Sequence, residues 1–204
     1  MRSYLSLAIA VFFCLLGQAH GEGKYWRFKA ETNETLSNPS GALNGEYEVI
    51  SSSGTLEAFQ LTGGQREPIG RDAAEELKRM VGAYAEKDAR KYVSLPLEVG
   101  KKWSATYSTS SSFRTYWKTV HYDVVSREQL SIPAGLFSVF QIKGNTIVRG
   151  IAESYNQEWI GYFSPELDSF VEWRYDSAVG KRGAKIYIKL VGTGKISEPI
   201  ARSN

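Results

Sequence analysis

"GKYWRFKA", residues Gly23–Ala30, alternates strictly: Trp26, Phe28 and Ala30 fall on one side, and Tyr25, Arg27 and Lys29 on the other. A period of two is the side-chain period of a β-strand, and a large apolar set on one side marks a half-buried strand. The same rhythm returns in Phe113–Val125, Phe137–Arg149, Glu153–Phe163, Phe170–Asp176 and Ala184–Gly192. Between the strands, Ser40–Tyr47 ("SGALNGEY") and Ser51–Gly54 ("SSSG") read as turn or loop material. The pattern predicts a mainly β protein: a curved antiparallel sheet, or an open half-barrel or sandwich.

One segment departs from this rhythm. Ala73, Leu77, Met80, Val81 and Tyr84 follow a helical period, which predicts one helical insertion over about 72–92, as one helix or two short ones. Asp72, with Glu75 three residues on, resembles a capping box at its start, and Pro96 stops any continuation.

The opening motif occurs again. "GKKW" at Gly100–Trp103 follows "GKYW" at Gly23–Trp26 by 77 positions. Two further blocks repeat in the same order. Tyr47–Ser51 (YEVIS) is echoed by Tyr122–Ser126 (YDVVS), and Ala58–Leu61 (AFQL) by Val139–Ile142 (VFQI). The Trp-to-Tyr spacing is 21 in one copy and 19 in the other. The expectation is two related β units, since a unit of two or three strands cannot cover its own apolar face. The chain then divides into a signal peptide (1–21), a first β unit (22–71), a helical connection (72–95), a second β unit (96–193) and a flexible tail (194–204). If the units are equivalent, Trp26 and Trp103 occupy matching positions.

The first residues carry an export signal. Arg2 precedes an apolar run from Leu5 to Leu16, and Ala19-His20-Gly21 offers small residues for a cut before Glu22, with cleavage after Ala19 as the competing site. The run is too short to span a bilayer, which needs about 20 apolar residues, and no later stretch reaches that length. Cys14 lies inside the run behind bulky Phe13, which reads as an ordinary apolar position rather than a lipid attachment site. The processed chain then has 183 residues, a net charge of +2 and no cysteine, so disulfides and thiolate chemistry are excluded. Its acids and bases are interspersed, which is no nucleic-acid footprint. Asn33-Glu34-Thr35 is a glycosylation triplet of the kind that arises by chance. Localisation is expected to be periplasmic or extracellular.

Three motifs carry a resemblance. Pro96–Trp103 (Pro-Leu-x-x-Gly-Lys-x-Trp), Pro133–Phe137 (Pro-Ala-Gly-x-Phe) and Tyr162–Val171 (aromatic-x-x-Pro-x-Leu before a Val-containing strand) resemble a group of bacterial exported proteins with a domain of unknown function. The resemblance spans about residues 95–192. It implies a strongly curved antiparallel sheet in the cell envelope and carries over no settled activity. Where the group has a basic residue after the last motif, this chain has Glu172.

Chemistry is sparse in the pattern. His121 is the only histidine clear of the leader, with Asp123 two residues on and many serines about, yet no Gly-x-Ser-x-Gly elbow supports a nucleophile. One histidine and no cysteine leave no metal or cofactor site, and no acidic calcium loop is present. Glu158, Glu166, Asp168 and Glu172 lie close in sequence, but nothing fixes two of them in a cleft. No catalytic residue is assigned. The aromatic residues are the stronger signal. The strand Phe113–Val125 has Tyr116, Val120, Tyr122 and Val124 on one face and Phe113 and Trp117 on the other. Either both faces are covered, or the Trp117–His121 face lines a groove. Phe113, Trp117, His121 and Trp159 are the candidate groove residues. The reading is a non-enzymatic binding protein for a lipid or other apolar ligand, or for an envelope protein. An envelope-polymer hydrolase or a carbohydrate-binding module is the alternative, and the sequence does not specify an oligomeric state.

Overall fold

The computed structural model describes residues 23–32, 43–52, 55–81, 93–111, 114–151, 154–177 and 184–196. The described elements are β1 (Gly23–Thr32), β2 (Gly45–Ser52), β3 (Thr55–Thr62), β4 (Gln65–Pro68), α1 (Arg71–Arg79), β5 (Lys102–Ser111), β6 (Arg114–Ile132), β7 (Gly135–Arg149), β8 (Ser154–Ser164), β9 (Ser169–Ser177) and β10 (Ala184–Ile196). The ten strands form one open antiparallel sheet in the order β4-β3-β2-β1-β10-β9-β8-β7-β6-β5. The chain runs as two meanders, and β1 joins them by pairing with β10, Gly23 opposite Ile196. The expected mainly β, curved antiparallel class is what is found, in its open form.

The alternation in the opening stretch is realised as read. Trp26, Phe28 and Ala30 are buried, while their neighbours in β1 are not. They join one core with Tyr47, Val49, Leu56, Val120, Tyr122, Val124, Ile142, Trp159, Phe163, Phe170, Ile188 and Leu190. Helix α1 closes this core face. Leu77, Met80 and Val81 are buried, and the Met80 carbonyl accepts from the Phe170 amide (2.8 Å) and the Ser169 hydroxyl (3.0 Å). That carbonyl would otherwise be an orphan of the helix end, so β9 serves as the C-terminal cap.

The helix differs from expectation at its start. Its N-cap is Gly70, with no side-chain capping bond, so Asp72 lies within the first turn rather than before it. Residues 82–92 of the expected helical stretch lie outside the described residues. Two other boundaries move. β2 begins at Gly45, inside the stretch read as loop, and β10 continues to Ile196, so residues 194–196 are strand and not tail. Gly45 (φ 123°) takes up the backbone conformation at that junction.

The two Gly-Lys-x-Trp strands share a topology but not a position. Each opens a three-strand meander, β1-β2-β3 and β5-β6-β7. Yet β1 is interior to the sheet and β5 is its edge. Trp26 faces Val49, whereas Trp103 faces Tyr122. The glycines also do different work. Gly23 is inside a strand, with a Cβ position only 3.2 Å from both Ile196 Cβ and Ser51 O. Gly100 (φ 88°) sits in a bulge, where its amide donates to the Val124 carbonyl and the Val124 amide donates to Lys101 O. The Lys101 ammonium donates to the carbonyls of Ser94 and Pro96, both at 2.6 Å.

Candidate functional site

Antiparallel pairing aligns residues in rows across the strands, and one such row organises the centre of the sheet. Trp103, Tyr122, Gly144, Trp159, Tyr175, Ile186 and Thr32 are successive cross-strand partners from β5 to β1. Three of its rings are in contact, and Trp173, two residues before Tyr175 in β9, joins them. Trp103 lies parallel to Tyr122 (4.7 Å), Tyr122 meets Trp159 edge-on (5.6 Å), and Trp159 stacks on Trp173 (4.1 Å). Gly144 leaves the space that the Trp159 indole fills, and Gly161 does the same beneath Phe170.

The rows on either side have the opposite parity. One runs Lys102, Asp123, Lys143, Ile160, Arg174, Tyr187, Glu31. The other runs Ser104, His121, Asn145, Glu158, Asp176, Lys185. Members of all three rows line a cavity of about 1180 Å³. Four cations (Lys102, Lys143, Arg174, Lys185) and three carboxylates (Glu31, Asp123, Glu158) lie among its walls, with Ile160, Tyr175, Ile186 and Trp159. A second cavity of about 260 Å³ lies between α1 and the core face and shares Trp159, Tyr175 and Ile186 with the first.

The candidate residues separate. His121 and Trp159 both line the large cavity, but from different rows: His121 is exposed and Trp159 is buried with the core. Trp117 is 51% exposed, opposite Ser108 and Arg149, and lies outside both cavities. Its face of β6 is therefore not covered, and it forms no groove with Trp159, because the two side chains point to opposite sides of the sheet. Phe113 lies outside the described residues.

His121 is not part of a Ser-His-Asp triad among the described residues. Ser104 Oγ is 2.8 Å from its Nδ1, and Asp123 is committed to Lys102 at 3.2 Å instead of to the imidazole. A triad places nucleophile and carboxylate on opposite ring nitrogens, and no carboxylate is bonded to this ring among the described residues. The other acids disperse as well. Glu158 is in the cavity wall, Glu166 is exposed in the turn before β9, and Asp168 takes a left-handed backbone (φ 49°) in that turn. Among the described residues no three His, Cys, Asp or Glu side chains are grouped as metal ligands. No helix there is long and apolar enough to cross a membrane.

Comparison with known proteins gives only distant likenesses. No family model matches the sequence, and no curated protein matches it. No family model confirms the three motifs. Among solved structures, a Bacteroides fragilis protein described as exported with a YmcC-like fold aligns at 12% identity, TM-score 0.41, over 86% of this chain and 96% of that one. A Parabacteroides distasonis protein described as a lipoprotein aligns at 13% identity, TM-score 0.46, over 86% and 96%. The hypothetical lipoprotein YmcC of Escherichia coli aligns at 9% identity, TM-score 0.39, over 87% and 89%.

Two buried carboxylates were not foreseen. Glu48 is 1% exposed and accepts from Arg27 (2.8 Å) and Arg66 (2.6 Å). Its hydrogen bond holds the Arg27 guanidinium above the usual arginine value, against the opposing effect of burial. Glu172, where the resembling group has a base, is 2% exposed and accepts from Arg174 (2.6 Å) and the Tyr187 hydroxyl (2.9 Å). Burial disfavours the Arg174 charge, but the bond and charge of Glu172 outweigh it and the pKa rises. Both clusters give each buried carboxylate oxygen a partner. Arg27 is the direct cross-strand partner of Glu48, so register was the missing information.

Proposed function

We propose that this is an exported, non-enzymatic binding protein that holds an amphipathic ligand in the cavity across β5–β10 and β1. The observation that carries the reading is the cavity itself. Its volume of about 1180 Å³ is at or above the range of ordinary ligand pockets, about 300–1000 Å³. Its walls mix charged groups with Ile160, Tyr175, Ile186 and Trp159, which suits a molecule with a polar head and an apolar body. This modifies the purely apolar ligand expected from sequence. The charged start and short apolar run within residues 1–21, read as an export signal, support a place in the cell envelope.

Trp159 supplies the assay, because it borders the cavity while Trp117 does not. Titration with a single-chain fluorescent fatty acid should change indole emission in the Trp117→Phe variant as in the parent. Ile160→Trp, which places a larger group in the cavity wall, should weaken binding about tenfold or more, and native mass spectrometry should find a co-purified small molecule in the parent. A parent that carries no adduct and does not respond to the fatty acid would remove the support for this reading.

A further inference from the structure

The sheet has two edges, and they are built differently. β4, at one end, is four residues long, wholly exposed, and contains Arg66, Glu67 and Pro68. Short length, charge and proline are the ordinary devices that stop a strand from recruiting another. β5, at the other end, has ten residues (KWSATYSTSS), no proline and one charge, Lys102, at its first position. Its pairing with β6 runs without a register shift from Lys102 to Ser111. Among the described residues no strand pairs with its outer side.

The direction of its free backbone groups follows from one bond. The Val124 amide donates to Lys101 O, so position 101 faces β6. Antiparallel ladders alternate, so Trp103, Ala105 and Tyr107 also bond inward, while Lys102, Ser104, Thr106 and Ser108 direct N–H and C=O outward. The side chains of these outward residues are exposed and, beyond Lys102, are hydroxyls. Exposed apolar groups gather around the same edge. Of the six large ones among the described residues, Leu95 and Val99 are in the loop entering β5, and Trp117 and Val125 are on β6, its only neighbour.

We infer that β5 is a self-association edge, and that two copies of this chain pair β5 to β5 antiparallel about a two-fold axis at Thr106. In this register Lys102 faces the partner's Ser110, Ser104 faces the partner's Ser108 and Thr106 faces the partner's Thr106. No like charges are opposed, and hydroxyl residues face one another across the seam, a favourable cross-strand pairing. A second copy is the fitting occupant because this edge is complementary to itself: its single charge meets a neutral residue. The interface is isologous, so it closes at a dimer instead of growing into a fibre.

The test uses three Thr106 substitutions in the full chain. Thr106→Pro removes an outward N–H without costing a ladder bond to β6. Thr106→Lys and Thr106→Glu each oppose like charges on the axis. Multi-angle light scattering across about 1–100 µM should show the parent doubling in mass, and each variant alone remaining a monomer with the parent's circular dichroism. An equimolar mixture of the Lys and Glu variants should restore a dimer, and native mass spectrometry should find only the mixed species. A parent that stays monomeric over that range, or a dimer that persists in Thr106→Pro, overturns the inference. A mixture that fails to pair while the parent dimerises overturns the register.

Discussion

Gly144→Ala is the sharpest probe of the aromatic row. Gly144 has no left-handed backbone, so the substitution tests space and not conformation. A Cβ there overlaps the Trp159 indole at three ring atoms. The indole is hemmed by three rings: Trp173 stacks on it at 4.1 Å, and Tyr122 and Phe170 meet it edge-on at 5.6 and 6.4 Å. Overpacking of this kind costs about 1–3 kcal/mol, occasionally more. The reduced freedom of the unfolded chain returns only about 0.4–1 kcal/mol. The net loss should be about 1–2 kcal/mol, or a fall of roughly 2–8 °C in melting temperature for a chain of this size. Urea unfolding followed by indole emission would measure it, with near-ultraviolet circular dichroism reporting the displaced Trp159. Gly192→Ala is the control: its nearest contact is Arg27 Cβ at 3.9 Å, and its stability should change by no more than about 0.5 kcal/mol. A Gly144→Ala protein as stable as the parent, with its aromatic dichroism intact, would refute the account of how the row is packed.

Three further outcomes are expected. Trp173→Ala should cost about 3–5 kcal/mol and Trp117→Ala less than about 0.5 kcal/mol, since one is 5% exposed and the other 51%, and equal losses would contradict the assignment of faces. Glu48→Gln should destabilise by about 1–3 kcal/mol, reduced by the solvent that reaches the half-exposed Arg27 and Arg66, and chemical denaturation would detect it. Burial pushes the Tyr47 phenol above its ordinary value near 10, only partly offset by its bond to Asn44. The folded state therefore holds this proton more tightly. Its stabilising contribution is complete below pH about 10 and is lost as pH rises through the folded-state value, so Tyr47→Phe should flatten the alkaline decline of melting temperature.

The sequence disclosed the strands because each short run has a period that survives without knowledge of its neighbours. Trp26, Phe28 and Ala30 needed no partner to declare their side. The reading weakened where the ladder slips. A register shift between Val124 and Ser126 leaves Val125 unpaired, and β6 continues seven residues past the predicted end to Ile132. Alternation also says which residues of one strand share a face, but not which faces coincide between strands. Placing His121 and Trp159 together required knowing that Asn145 faces Glu158, one residue before Trp159. Glu48 was hidden for the same reason, since Arg27 and Arg66 meet it only in the folded sheet, and so was the Tyr187 partner of Glu172, although Arg174 lies two residues on in the same strand.

The row arrangement also bears on how such a protein can change over generations. In β6, Tyr122 belongs to the core and its neighbours His121 and Asp123 to the cavity wall, and β7, β8 and β9 repeat this interleaving. A point substitution alters one tile of the wall and leaves the adjacent core residue in place. A single-residue insertion within any of these strands would exchange the two sets from that point on, burying charges and exposing aromatics. Drift in specificity is therefore open to this sheet by replacement, while drift in length is confined to the hairpin ends.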